Sequence, residues 1–266
     1  MEIELQTTKM LARVEHGIGW IIFNQPEKRN AINLEMAQAL GDILEHFQND
    51  PNVRVVVMRG AGGKAFVAGA DISEFKEKRA NAAQKAEYAR ISQRGYQWLE
   101  KLDKPLIALI EGHCIGGGLA TALAADVRFA TPDSTFGIPA AKLGLGYGFD
   151  GIALLADLVG PSTARDILFS ARFLQASEAF SKGLINFMVE RDNIESEVRK
   201  YAERIAENAP LTIKAAKAAI GEYVKSPDAR DLEKIKEMVN TCFDSDDYKE
   251  GVKAFSEKRK PDFRGR

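Results

Sequence analysis

Residues 106–120 read Leu106-Ile107-Ala108-Leu109-Ile110-Glu111-Gly112-His113-Cys114-Ile115-Gly116-Gly117-Gly118-Leu119-Ala120, and they join an apolar run to a glycine-rich turn. The apolar run of residues 106–110 is typical of a strand that is buried on both faces. Glycine permits tight turns, and the alanines and leucines of residues 119–125 favour a helix. A buried strand that leads through a short turn into a helix predicts an α/β protein with largely parallel strands.

The same alternation extends to both sides of this segment. Apolar and polar spacing predicts, in order, a strand hairpin over residues 12–23, a helix capped by Asn33, a strand over 53–58, a helix over 88–102 and a strand over 127–130. The charged run of residues 76–79 predicts a solvent-facing helix surface.

From Gly151 onward the pattern changes to helices alone. The apolar spacing predicts helices over residues 151–159, 162–169, 176–182, 194–208, 211–225, 229–243 and 246–257. We therefore divide the chain into an α/β core of residues 1–195 and a C-terminal helical region of residues 196–266.

The composition is that of an ordinary globular chain. It has 266 residues, 45% of them hydrophobic, and its 37 Lys+Arg nearly balance 38 Asp+Glu. That length supports a full core without metals or disulfides, and the small net charge provides no overall field for nucleic acid or membranes. The two cysteines and three histidines show no metal-ligand spacing, so we expect no metal site. The start lacks an apolar signal segment, so we expect a cytoplasmic protein.

Two glycine-containing loops each follow a buried strand. The first is Phe66-Val67-Ala68-Gly69-Ala70-Asp71-Ile72, and the second is the turn of residues 112–118. If each loop aims one backbone N–H at the same oxygen, the pair stabilises an oxyanion without a charged side chain. Close packing is the alternative explanation of the triple glycine. A nucleotide site is disfavoured because the third glycine of a dinucleotide turn is absent and no Gly-Lys-Ser/Thr follows.

Taken together, the motifs resemble the crotonase superfamily, the enoyl-CoA hydratase/isomerase superfamily. The resemblance covers nearly the whole chain and rests on residues 26–33, 68–72, 112–118, Asp126, Phe136-Gly137 and residues 251–259. It implies a crotonase-like α/β spiral of ββα units with a helical C-terminal trimerisation region. It also implies a homotrimer or a dimer of trimers, and coenzyme A as part of a thioester substrate rather than as a tightly bound cofactor.

The resemblance further implies roles for individual residues. The backbone N–H groups of Ala70 and Gly117 would form an oxyanion hole for the thioester carbonyl. The implied contacts to coenzyme A are Ala68, Asp71 and Ile72 along the pantetheine, Lys28 and Ala31 at the adenine, and Phe255 and Lys258 on the last helix, which can come from a neighbouring subunit.

The chain departs from the family where hydratases carry two catalytic glutamates, because Ala120 and Ala140 occupy those positions. General acid–base catalysis typically contributes about 10²–10⁴ in rate, so we expect slow hydration of crotonyl-CoA. The nearby polar candidates are Tyr147 and Asp150. A tyrosine at Tyr147 resembles the methylmalonyl-CoA decarboxylase branch, whose histidine at the first loop is replaced here by Ala70. Tyr147 can also form a wall of the acyl pocket, and Asp150 can cap the following helix.

We therefore expect an enzyme, a lyase or isomerase of the enoyl-CoA hydratase family, that stabilises a thioester enolate. One alternative is decarboxylation that depends on Tyr147. Another is a non-catalytic subunit that binds acyl-CoA. An RNA-binding relative is disfavoured, because no basic stripe is evident beyond the tail of residues 258–266.

Overall fold

A computed structural model describes residues 2–74 and 82–266 of the chain. The charged run of residues 76–79 lies outside the described residues. The strands are β1 (Glu2–Ile3), β2 (Met10–Glu15), β3 (Ile18–Phe23), β4 (Val55–Gly60), β5 (Ala65–Val67), β6 (Leu106–Ile110), β7 (His113–Ile115), β8 (Val127–Ala130), β9 (Thr135–Gly137), β10 (Leu174–Gln175) and β11 (Phe187–Met188).

Helices alternate with these strands and then follow them. The α-helices are α1 (Leu34–Asn49), α2 (Ala82–Lys101), α3 (Gly117–Leu123), α4 (Phe149–Ser170), α5 (Ala176–Ser181), α6 (Arg191–Ala206), α7 (Pro210–Tyr223), α8 (Leu232–Asp244) and α9 (Asp246–Glu257). Short 3₁₀ turns cover Pro26–Lys28, Ile72–Glu74, Pro139–Leu143 and Pro227–Ala229. Across the part of the chain that is described, no helix is long and apolar enough to cross a membrane.

The larger sheet has the strand order β1-β2-β3-β4-β6-β8-β11. The predicted hairpin is confirmed as the antiparallel pair β2–β3, and every pairing from β3 to β11 is parallel. The strand predicted over residues 53–58 begins two residues later, at Val55, because the Val53 N–H donates to the Asp50 carbonyl just beyond α1.

The smaller sheet has the order β10-β9-β7-β5, and β5, β7 and β9 run parallel. Each of these three strands directly follows a strand of the larger sheet, so that β4–β5, β6–β7 and β8–β9 are successive pairs with a helix after each. This repetition is the predicted spiral of ββα units. It places the carboxyl ends of β5 and β7 side by side.

Both faces of the larger sheet are covered, as parallel strands require. One face packs against α1 in a cluster that includes Phe23 and Leu44. The other face packs against α6 through Ile194 and Val198. The predicted domain boundary between residues 195 and 196 falls inside α6.

Capping side chains and glycines determine where several helices begin or break. Asn33 caps α1 as predicted, because its Oδ1 accepts the Met36 N–H at 2.9 Å. Helix α3 begins at Gly117, two residues before the predicted start, because Gly116 turns the chain with φ 56°. The helices predicted over residues 151–159 and 162–169 join as α4 with a break at Gly160, where φ is 76°.

Candidate active site

The two segments predicted as glycine-containing loops each contain a short strand of the smaller sheet, β5 and β7, which the sequence pattern did not predict. The turns that follow these two strands meet at the end of that sheet. Strand β5 pairs with β7, with Val67 opposite Cys114, so the chain leaves both strands in the same direction. A Cβ atom built on Gly117 would lie only 3.7 Å from the Ala70 nitrogen. The two loops are therefore adjacent in the fold, as two donors to a single oxygen would require.

The hydrogen bonds around Ala70 orient its N–H. The Ile32 N–H donates to the Gly69 carbonyl at 2.8 Å, and the Asp71 N–H donates to the Ile32 carbonyl at 2.9 Å. Successive groups of an extended chain alternate in direction, so the Ala70 N–H points away from Ile32. Gly117 is the first residue of α3, a position whose N–H has no acceptor inside the helix. Within residues 2–74 and 82–266, neither N–H has a backbone acceptor.

Two of the glycines serve packing and backbone geometry rather than chemistry. A Cβ on Gly118 would lie 2.0 Å from the Val67 carbonyl oxygen, which leaves no room for any side chain. Gly116 has φ 56° and ψ −120°, a conformation that side chains disfavour. The close-packing explanation therefore applies to Gly118, whereas Gly117 leaves its N–H available.

A cavity of about 490 Å³ lies in front of these loops. Its wall includes six of the predicted site residues, namely Ala68, Ala70, Ile72, Gly117, Tyr147 and Asp150. Ala120 and Ala140 also line it, so the two positions without a titratable group face the same space.

Helix α2 contributes two polar residues that the sequence motifs did not indicate. Tyr96 and Glu100 both line the cavity, and the Tyr96 hydroxyl lies 3.9 Å from a Cβ built on Gly117. Polar residues on a predicted helix are typical of a solvent-facing surface. The sequence signal that could have revealed them is their spacing, because residues four apart share one face of a helix.

The loop before α4 carries Tyr147 and Asp150. The expected capping role of Asp150 is wrong, because Gly148 is the N-cap and Asp150 lies inside the first turn of the helix. A Cβ built on Gly151 would lie 3.6 Å from the Tyr147 ring, and that ring also packs against the main core. Tyr147 therefore forms part of the cavity wall.

Lys28 and Asp71 form an ion pair beside the first loop. The Lys28 Nζ lies 2.7 Å from Asp71 Oδ2, and the Ser73 N–H and hydroxyl both donate to Asp71 Oδ1. Burial acts to raise the pKa of Asp71, but the bonds from Lys28 and Ser73 outweigh it and lower that pKa to about 2. The Asp71 carboxylate therefore has its acceptors occupied within the chain, although sequence resemblance assigns it to coenzyme A.

The depressed pKa of Asp71 predicts an acid-sensitive part of the fold. The folded pKa of about 2 is below the ordinary value of 3.8, so this stabilisation is complete above about pH 4 and is lost as the pH falls toward 2. We expect Asp71→Asn to reduce the difference in unfolding free energy between pH 5 and pH 3, measured by urea unfolding. Asp228→Asn, on an exposed turn, is the control. An unchanged pH dependence in Asp71→Asn would contradict the assignment.

The segment of residues 29–32 runs beside the first loop. The Ala68 N–H donates to the Arg29 carbonyl at 3.0 Å, next to the bonds of Ile32 described above. Asn30 anchors this segment from a fully buried position, because its Nδ2 donates to the carbonyls of Ala61 and Ala65. Ala31 is thus held close to the loop, but neither Lys28 nor Ala31 lines the cavity.

Phe255 and Lys258 lie at the end of α9, outside the cavity wall of this chain. Phe255 is 88% exposed, and Lys258 ends the helix with φ 53°. Their assignment to coenzyme A stays a prediction that involves a neighbouring subunit.

The thiol of Cys114 does not line the cavity. Cys114 is fully buried, and burial raises the pKa of its thiol. In the described part of the chain, no group of three or more His, Cys, Asp or Glu side chains is arranged to hold a metal ion.

The fold and the cavity define an α/β protein of the crotonase type. A family model described as "Enoyl-CoA hydratase/isomerase" matches residues 13–266. The chain belongs to this family, and it is an enzyme of the family that acts on acyl-CoA thioesters.

Individual relatives agree with this placement. The chain is 33% identical over 256 residues to a short-chain-enoyl-CoA hydratase of Clostridium acetobutylicum, with 96% of this chain and 97% of the relative covered. It is 34% identical to a crotonyl-CoA hydratase of Syntrophomonas wolfei, with 94% and 95% covered. A crystal structure described as an enoyl-CoA hydratase/carnithine racemase from Magnetospirillum magneticum superimposes with a TM-score of 0.91 at 34% identity, with 98% and 97% covered.

Proposed function

We propose that this enzyme carries out reversible addition of water to an enoyl-CoA through a thioester enolate. The enolate oxygen is bound by the N–H groups of Ala70 and Gly117. The observation that carries the proposal is the proximity of these two groups, which lack backbone acceptors in the described residues and line one cavity. Preorganised donors of this kind stabilise a developing negative charge, and one donor is worth about 10²–10³ in rate.

The choice of hydration rests on two further observations. The similar proteins from Clostridium acetobutylicum and Syntrophomonas wolfei are named as hydratases of enoyl-CoA and crotonyl-CoA. Two acidic residues, Glu100 and Asp150, also line the cavity, although Ala120 and Ala140 supply no titratable group. Carboxylates at new positions can perform the proton transfers that hydration requires. The rate of crotonyl-CoA hydration therefore tests whether the reaction is as slow as the alanines at positions 120 and 140 predict.

Tyr147 supports a second candidate reaction, the decarboxylation of a malonyl-type thioester. Tyr147 lines the cavity, as Asp150 does. A tyrosine at this position is also the feature by which the sequence resembles the methylmalonyl-CoA decarboxylase branch. Loss of CO₂ also leaves an enolate, which the same two N–H groups would stabilise.

A panel of thioesters separates these functions. Purified enzyme is assayed with crotonyl-CoA for hydration and with methylmalonyl-CoA for release of CO₂. We expect hydration of crotonyl-CoA. We expect Tyr147→Phe to keep the hydration rate within about threefold of wild type, because the ring forms part of the cavity wall and its hydroxyl is not needed for this reaction. CO₂ release that is lost in Tyr147→Phe would favour decarboxylation instead. Saturable binding without turnover on either thioester would favour the non-catalytic subunit.

We also propose that the chain assembles as a homotrimer or a dimer of trimers through its C-terminal helices. The single chain exposes 14298 Å², whereas a compact monomer of this mass exposes about 11,500 Å². Large apolar side chains are exposed on α7 to α9 and the turns between them, namely Ile220, Tyr223, Val224, Leu232, Val239, Phe243, Tyr248, Val252 and Phe255. Sedimentation equilibrium tests the proposal, and a monomer at micromolar concentration would contradict it.

A further inference from the structure

The carboxylate of Glu100 occupies a position that helix stability does not explain. Glu100 lies in the last turn of α2 and lines the cavity together with Tyr96. An acidic side chain near the carboxyl end of a helix faces the negative end of the helix dipole, which is unfavourable. The neighbouring Lys101 carries the charge that this end of the helix favours.

Asp150 provides the contrast within the same cavity. It lies in the first turn of α4, where a negative charge stabilises the helix. Its presence beside the cavity therefore has a structural explanation. Glu100 lacks such an explanation, so a role toward the cavity accounts for its position better than a role in the fold.

The surroundings of Glu100 leave its carboxylate available. Across residues 2–74 and 82–266, it forms no ion pair or hydrogen bond, whereas Asp71 beside the same loops is occupied by Lys28. Tyr96 precedes Glu100 by four residues, so the two side chains share one face of α2. The Tyr96 hydroxyl in turn approaches Gly117. Glu100 is thus one helical turn from a group that lies beside the oxyanion hole.

Building on the proposed hydration, we propose that Glu100 is the general acid–base of the reaction. Its carboxylate takes a proton from water, and the water oxygen forms a bond to the β-carbon. The electron pair of the C=C bond moves to the α-carbon and the thioester oxygen, where the N–H groups of Ala70 and Gly117 stabilise the enolate. The protonated Glu100 then delivers its proton to the α-carbon, and the thioester carbonyl re-forms. One water is added, and the carboxylate is regenerated.

The test compares Glu100→Gln with wild type in two assays. One assay is hydration of crotonyl-CoA, and the other is exchange of the α-protons of butyryl-CoA in D₂O, followed by NMR. We expect kcat and the exchange rate to fall by about 10²-fold or more, with KM changed less than threefold. Lys101→Gln, on the same helix and outside the cavity wall, is the control and is expected to match wild type in both assays.

A second variant separates chemistry from structure. Glu100→Ala removes the carboxylate, and added sodium formate is expected to restore part of the exchange rate, which a purely structural role would not allow. Wild-type rates in Glu100→Gln would overturn the role of Glu100 and leave hydration intact. If wild type exchanges the α-protons but does not hydrate crotonyl-CoA, and Glu100→Gln loses the exchange, the hydration proposal is overturned and the acid–base role of Glu100 is supported. Absence of both activities in wild type would overturn both proposals.

Discussion

Gly117→Pro is expected to lower kcat by about 10²–10³-fold while acyl-CoA still binds, because it removes one of the two donors to the thioester oxygen. Gly117 is the first residue of α3, where proline is well tolerated since the helix does not use that N–H. The fold should therefore survive the change. The measurement is steady-state turnover of the substrate found in the thioester panel, together with binding of a saturated acyl-CoA by calorimetry.

The matched control for this prediction is Gly117→Ala. A Cβ at this position makes ordinary contacts, with the nearest atom 3.7 Å away, and the alanine keeps its N–H. The alanine variant therefore accounts for the added Cβ, and any further loss in the proline variant reports the replacement of the amide hydrogen by the ring. Equal turnover in the two variants would show that the Gly117 N–H does not bind the oxyanion.

Gly118→Ala is expected to destabilise the protein by about 3 kcal/mol or more, because overpacking typically costs about 1–3 kcal/mol and here the clash is with main chain. Its Cβ would lie 2.0 Å from the Val67 carbonyl oxygen and 2.7 Å from the Val67 carbonyl carbon, and no side-chain rotation relieves these contacts. The movement would push β5 and the loop of Ala70 away from α3. We therefore expect lower turnover and a Tm lowered by roughly 6–12 °C, measured by calorimetry.

Gly221→Ala supplies the comparison for Gly118→Ala. Gly221 is also helical, in α7, and a Cβ built there has no atom within 4 Å. Alanine favours the helix over glycine by roughly 0.5–1 kcal/mol, so this variant is expected to be slightly more stable than wild type. A loss of stability in Gly221→Ala similar to that in Gly118→Ala would contradict the steric explanation.

Much of the architecture was predictable because it follows from local pattern. The five apolar residues of 106–110 form β6, the Asn33 side chain caps α1, and the last predicted helix of 246–257 is α9. Predictions at turns were less accurate. Asp150 was expected to cap α4, but Gly148 does so, since several residues of a glycine-rich loop can precede a helix and only the backbone path selects one.

Residue type and spacing along the chain were enough to predict the strand–turn–helix alternation, the two glycine-containing turns and the absence of carboxylates at Ala120 and Ala140, whereas the ββα repeat followed only from the family resemblance. Only the tertiary structure brought Glu100 and Tyr96 to the cavity, and only it paired Lys28 with Asp71. Lys28 and Asp71 are 43 residues apart in the sequence, and contacts of this kind are decided by how the helices and the sheets pack. Side-chain spacing along one helix cannot specify which cavity its polar face will border.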